Sequence, residues 1–276
     1  MTELLFPGEQ LGRLALQFLL AGAGSGKTTV LINRVANLLT YGRGSDSEDV
    51  PQWATEDDLA FLESYPDHPT AEERSRMVHL CTLEPAAPWS VLAVTFTNKA
   101  ANELKERLSA MLDDDGARVN AGTFHYICLR ILRREIEALG YRSGFTIYDT
   151  DDGLRVVKDC LAELNLSDKM FPPKTVLNQI SRAKDSMLTP EAYLEQNEAD
   201  FRLKVIGGIY ALYQKKLKEA NAVDFDDIIS LTVRLFEQEP DVLAYYQNLY
   251  RYIMVDEYQD TNHAQYRLVS LLSAKY

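Results

Sequence analysis

The sequence predicts an α/β protein: a parallel sheet flanked by helices, with a mostly helical segment set into it. Three observations carry that prediction. Phe18-Leu19-Leu20 is a short apolar run followed by a glycine-rich loop and then by the helical periodicity of Val30, Leu31, Val35, Leu38 and Leu39. That is a strand–loop–helix unit of a parallel sheet. Val91-Leu92-Ala93-Val94 and Ile253-Met254-Val255 read as strands buried on both faces, because no polar residue alternates within them. From Phe145 to Ala220 the pattern is helical, punctuated by Pro172-Pro173 and Pro190.

The chain has 276 residues, the size of one large domain or two modest ones. Hydrophobic residues make up 46%, enough for a real core. With 29 Lys+Arg against 41 Asp+Glu, the net charge of −12 excludes a chain coated in basic charge. It does not exclude nucleic acid, which needs only a local basic stripe. Cys81, Cys128 and Cys160 form no CxxC pair, which argues against a disulfide framework or zinc knuckle and suits a reducing, cytoplasmic location. No apolar run approaches the ~18 residues of a membrane span. Leu14 to Leu20 followed by Ala21-Gly22-Ala23 mimics a signal peptide, but Glu3 and Glu9 precede it with Arg13 as the single base.

Ala21, Gly22, Ala23, Gly24, Ser25, Gly26, Lys27, Thr28 and Thr29 explain that stretch better. Their pattern, small-x-x-x-x-Gly-Lys-Thr between strand and helix, is a nucleotide phosphate loop. The glycines turn backbone N–H groups inward around phosphate oxygens, and the helix N-terminus adds its dipole. Lys27 reaches the β/γ-phosphates, and Thr28 offers a hydroxyl to Mg²⁺. The second half of such a site ends the Ile253-Met254-Val255 strand. At the carboxyl end of a parallel strand, Asp256 would hold the metal and Glu257 would activate the attacking water beside the γ-phosphate. ATP and Mg²⁺ are the cofactors these residues imply.

AGAGSGKTT (21–29), VTFTNKAANELKERL (94–108), GTFHYICLRILRR (122–134), DFDDII (224–229) and VDEYQDTN (255–262) follow one another in this order. Together they resemble UvrD/Rep/PcrA-type superfamily 1 DNA helicases over nearly the whole chain. The resemblance implies a RecA-like P-loop NTPase motor domain with an inserted helical subdomain and ATP-driven 3′→5′ translocation on single-stranded DNA. It also implies that Gln259 couples the γ-phosphate to movement. The family's later motifs, which supply transition-state arginines and the rest of the DNA path, are not in this chain. A C-terminal half of the same helicase is therefore an implied partner.

Read from the residues, Phe96, Thr97, Asn98 and Lys99 form a polar-aromatic tip at a strand end. Phe96 would stack a base, Thr97 and Asn98 would bond phosphates, and Lys99 would neutralise one. Thr123, Phe124 and His125 form a second tip. The family places both on the DNA path; the competing readings are core packing for Phe96 and Phe124, and helix capping for His125. Arg118, Arg130, Arg133, Arg134 and Arg142 form either a phosphate-facing surface or a solvated helix face.

The expected organisation is a motor domain over 1–144, a helical subdomain over 145–221 and a returning motor segment over 222–276. Within the subdomain, Thr150 or Asp151 caps one helix, another follows from Lys174, and Thr189-Pro190 starts a third. The last runs from Phe201 to Ala220, with Ile206, Ile209, Tyr213 and Leu217 on one side. Lys174, Arg182 and Lys184 are candidate contacts to duplex DNA or plain surface cations. Asp224, Asp226 and Asp227 cap the returning helix.

Two features depart from the family pattern. Gln10 sits about four residues too near the phosphate loop to match the adenine-reading glutamine well, so it is a weaker adenine contact. Residues 42–90 interrupt a normally short link and hold eleven acids against Arg43, Arg74 and Arg76, a net −8 that is most of the chain's acidity. They are expected to form two short helices, starting near Thr55 and Thr70. Their role is either docking of a protein partner or none.

The leading expectation is the N-terminal part of an ATP-dependent helicase acting on single-stranded DNA and its junctions with duplex, in repair or replication. The alternatives are an ATP-gated DNA-binding adaptor and a subunit of a helicase–nuclease.

Overall fold

The computed structural model describes residues 27–44, 47 and 52–275. In chain order the first elements are α1 (Lys27–Thr40), α2 (Glu56–Glu63), α3 (Ala71–Cys81), β1 (Val91–Thr95), α4 (Asn98–Ala117), β2 (Asn120–Thr123) and α5 (Phe124–Glu135). There follow β3 (Thr146–Ile147), α6 (Thr150–Glu163), α7 (Pro173–Asp185), α8 (Pro190–Gln196), α9 (Phe201–Glu219) and β4 (Ala222–Val223). The chain closes with α10 (Phe225–Gln238), α11 (Pro240–Leu249), β5 (Tyr252–Val255) and α12 (His263–Ser273). These residues divide into two units, one holding those up to 121 together with 250–256, the other 122–249 and 257–275.

The first unit is organised by a parallel pairing of β1 with β5. The register runs Val91↔Tyr252, Leu92↔Ile253, Ala93↔Met254 and Val94↔Val255, and the Asp256 N–H extends it by donating to the Val94 carbonyl at 2.9 Å. Every β1 residue is buried, as a parallel strand covered on both faces requires. The strand order is β2-β1-β5, with Asn120 and Ala121 of β2 in this unit. Helices α1 and α4 pack together, burying Leu31, Val35 and Leu38 from one and Leu104 and Leu108 from the other. Helix α4 breaks at Asp113, whose φ is 50°. The chain then closes so tightly on the helix that a Cβ on Gly116 would lie 2.1 Å from the Leu108 carbonyl oxygen, so glycine is required there.

The acidic segment folds as two short helices, started where the sequence indicates. The Thr55 hydroxyl accepts from Asp58 N–H while the Asp58 carboxylate accepts from Thr55 N–H; Thr70 and Glu73 repeat the arrangement. Neither helix contains a buried residue. They are tied by the Arg76 guanidinium, which lies 2.6 Å from Asp58 and 4.4 Å above the Phe61 ring, and by stacking of Trp53 on His79 at 4.8 Å.

In the second unit, α6, α7 and α9 share a core around Val157, Leu161, Ile180, Ile209, Tyr213 and Leu217. The four α9 positions expected on one side, Ile206, Ile209, Tyr213 and Leu217, are all buried. Helix α6 is capped by Asp149, one residue before the expected candidates, because Asp149 and Asp152 are spaced to form a reciprocal capping box. The segment leaves and returns through one doorway: β3 pairs with β4 in parallel, Thr146↔Ala222 and Ile147↔Val223. The Asn221 side chain clamps the backbone of Arg142 by accepting at 2.7 Å and donating at 3.3 Å. Helix α10 then packs on α5, α7, α11 and α12.

Lys184 joins these layers. It is 2% exposed, which corrects its reading as a surface cation. Its Nζ lies 2.6 Å from Asp224 and 2.8 Å from Asp227. The Tyr213 hydroxyl donates to Asp224 at 2.9 Å, and Gln214 Nε2 donates to Asp227 at 3.1 Å. Burial opposes the ammonium, but the two carboxylates outweigh it and hold the Lys184 pKa above its usual value. Burial, with repulsion from Asp224, pushes Asp227 up to about 6.

Lys184→Met leaves two buried carboxylates without a cation and is expected to destabilise the fold by ~3–5 kcal/mol at pH 7. Both carboxyls would then titrate above their unfolded value, so the folded state binds the extra protons and the variant regains stability as pH falls from about 7 to about 5. Urea unfolding of the variant and parent across that range checks both statements.

Candidate functional site

The two halves of the expected nucleotide site meet in the sheet-bearing unit. Residues 21–26 and Gln10 lie outside the described residues, as does the Lys27 side chain. Helix α1 is described over Lys27–Thr40, directly after the expected loop, and a helix N-terminus offers N–H groups and a positive dipole end to an anion. Thr28 is half-buried in that first turn, and its hydroxyl donates to the Asp256 carboxylate at 3.3 Å. Asp256 owes its place to the β1–β5 register, being the first residue past the carboxyl end of β5. Thr28 and Asp256 are 228 residues apart in sequence. Thr29 is exposed.

At the carboxyl end of β1, Thr95 is buried and its hydroxyl donates to the Thr97 carbonyl at 3.1 Å. Thr97 caps α4 by accepting from the Ala100 N–H at 3.1 Å. Phe96 is half-buried, while Thr97, Asn98 and Lys99 are exposed. The helix starts at Asn98 because Thr97 supplies the cap.

In the other unit, Glu257 is exposed and takes the left-handed conformation, φ 54° and ψ 40°. That is a costly backbone for a residue with a Cβ. Gln259 is also exposed, in the 3-10 turn Tyr258–Asp260, with its amide donating to Asp260 at 3.3 Å. Among the second tip's residues, Thr123 caps α5 by accepting from the Tyr126 N–H at 3.2 Å. Phe124 is 2% exposed and belongs to the core, so its ring is not offered to a base. His125 is half-buried; burial lowers its pKa, against the pull of Asp226.

Beside His125 stands an aromatic residue that the sequence reading passed over. The Phe225 ring centroid is 5.3 Å from that of His125, and Phe225 is 57% exposed. Asp224 is the helix cap and Phe225 the first residue of α10; an aromatic at a first-turn position is the sequence signal for it. The arginines read as a possible phosphate surface are largely engaged. Arg133 donates to the Phe145 carbonyl at 2.7 Å and lies 3.9 Å above its ring. Arg134 lies over Tyr245 and Arg118 over Trp89.

Among the described residues no cluster of His, Cys, Asp and Glu is arranged to hold a metal by itself, and no helix is long and apolar enough to cross a membrane.

Comparison with known proteins gives a consistent result. The chain is 40% identical over 258 residues to the ATP-dependent DNA helicase PcrA of Staphylococcus aureus strain Mu50, covering 94% of this chain and 30% of that protein. The PcrA proteins of Bacillus subtilis strain 168 and Leuconostoc citreum are also 40% identical, each matched over 29% of its length. The chain thus spans about 30% of the relatives it matches. The model of the UvrD/REP helicase N-terminal domain matches residues 15–49 and 74–276. The unmatched stretch is therefore 50–73, shorter than the expected interruption, and it carries seven acids and no Lys or Arg. The match covers most of the chain, which therefore belongs to the UvrD/REP helicase N-terminal domain family.

Proposed function

We propose that this chain is the ATP- and single-stranded-DNA-binding part of an ATP-dependent 3′→5′ DNA helicase or translocase working in repair or replication. The contact of Thr28 with Asp256 carries the reading: a hydroxyl from the first turn of α1 and a carboxylate from the end of β5 converge to 3.3 Å. Both are hard oxygen donors, so they suit Mg²⁺, and they are the residues that would hold it. Bound with the nucleotide, the ion neutralises charge on the phosphates.

Around that point each residue has a task. Backbone N–H groups of residues 21–29 cradle the phosphates, with Lys27 as their counter-charge. Gln10 contacts adenine. Glu257 takes the proton of the attacking water, and Gln259 couples the γ-phosphate to movement. In the DNA path, Phe96 stacks a base, Thr97, Asn98 and Lys99 contact phosphates, and Thr123 and His125 form a second contact. Buried Phe124 supports that second tip, and exposed Phe225 adds its ring to His125. The motor domain is RecA-like, covering 1–144 and 222–276. The parallel β3–β4 doorway supports 145–221 as the inserted subdomain. Opposing arginines would come from the C-terminal half of the same helicase.

Lys27→Ala is expected to weaken binding of a fluorescent ATP analogue more than about tenfold. In the complete enzyme, Glu257→Gln should keep nucleotide binding and lower kcat by ~10²–10⁴; normal turnover would remove its role as base. Phe225→Ala should weaken single-stranded-DNA binding, measured by fluorescence anisotropy, by the ~1–3 kcal/mol of one stacked base. The isolated chain should show little DNA-stimulated ATPase, since an arginine finger contributes ~10³–10⁵ in rate. Robust turnover by residues 1–276 would contradict that division of labour.

A further inference from the structure

A cavity of about 500 Å³ opens among α7, α8, α9 and α10, lined in part by Lys184 and Asp227 and by none of the residues proposed to bind nucleotide or DNA. Its size falls within the range of small-molecule sites, ~300–1,000 Å³. Apolar walls come from Tyr141, Leu188, Tyr210 and Leu231.

Two polar groups face this cavity without partners. Arg234 lines it half-buried and makes no hydrogen bond or ion pair among the described residues. Its guanidinium lies near enough to Tyr141, Tyr210 and Glu191 to pull their pKa values down, against the burial that raises the two tyrosines. Gln214 spends its amide N–H on Asp227, but its Oε1 is buried with no donor. Such an orphaned acceptor is uncommon in a folded protein and calls for a donor. Among the lining acids, Glu191 feels the Arg234 charge but forms no ion pair with it. Lys184 is neutralised by Asp224 and Asp227, Lys215 lies 3.8 Å from Glu219, and Lys218 donates to the Leu139 carbonyl at 3.2 Å. Glu191 is the other acid in the lining.

We propose that this cavity binds a small organic anion: an apolar ring carrying one carboxylate or phosphate for Arg234 and one N–H or O–H donor for Gln214 Oε1. Such a ligand would brace α7, α8 and α9 against α10. It would stabilise the fold by mass action, because the unfolded chain lacks the site.

Isothermal titration of the 276-residue chain with p-hydroxybenzoate and with thymidine monophosphate tests this. Saturable one-to-one binding of at least one is expected, undisplaced by excess Mg-ADP. Binding of the first alone assigns a carboxylate ligand, and of the second alone a phosphate. Uncharged p-hydroxybenzyl alcohol and thymidine should bind at least tenfold more weakly than the matching anion. Arg234→Gln should weaken binding at least tenfold with an unchanged circular dichroism spectrum, and Gln214→Leu should also weaken it. No saturable binding by either probe, displacement by Mg-ADP, equal binding of the neutral analogues, or an unaffected Arg234→Gln would each overturn the proposal. If Arg234→Gln does not fold, nuclear Overhauser contacts from bound probe to the Leu188 and Leu231 methyls decide: present they support the site, absent they overturn it.

Discussion

The sheet-bearing unit depends on one parallel pairing. Strands β1 and β5 lie far apart in the described chain, and neither can satisfy its backbone alone. Once Val91–Val94 lie against Tyr252–Val255, two consequences follow without further instruction. Asp256 is fixed at the carboxyl end of the sheet and meets Thr28. Residues 96–99 emerge from the same end of β1 and are held by the Thr97 cap rather than left as a loose loop. The proposed metal-holding carboxylate and the proposed nucleic-acid tip thus both follow from the same register. A one-residue slip would exchange Asp256 for Val255 or Glu257.

The helical unit has a different keystone. Its segment between β3 and β4 begins and ends at one point, so a second tie is needed to hold its helices against α10. The buried lysine supplies it, with Asp224 and Asp227 serving at once as reciprocal helix cap and as counter-ions. One ammonium between two carboxylates is an expensive interior arrangement that hydrophobic side chains of similar volume would often match in stability. What it adds here is direction: three helices must meet at one angle for all the hydrogen bonds to close.

Much of this was legible because its causes are local. Thr55 with Asp58 and Thr70 with Glu73 announce helix starts through a spacing of three, and the unbroken apolar runs announce buried strands. The phosphate-loop motif needs eight consecutive residues, Ala21 to Thr28. What escaped depends on distant partners. Lys184 reads as a surface residue until Asp224, forty positions away, is brought to it. Phe124 and Phe225 are both aromatics beside a cap, and only packing of α5 on α10 buries one at 2% while leaving the other 57% exposed. The acidic segment is a related case: α3 straddles residue 74, where the family match resumes, and charge alone does not mark that boundary.

Thr28 and Asp256 are proposed as the metal-holding end of a nucleotide site. Titration of Mn²⁺ into the chain with ADP, followed by electron paramagnetic resonance, tests it directly. One nucleotide-dependent Mn²⁺ site is expected in the parent chain, lost in Asp256→Asn with the circular dichroism spectrum unchanged. Retention of that site by Asp256→Asn would contradict it.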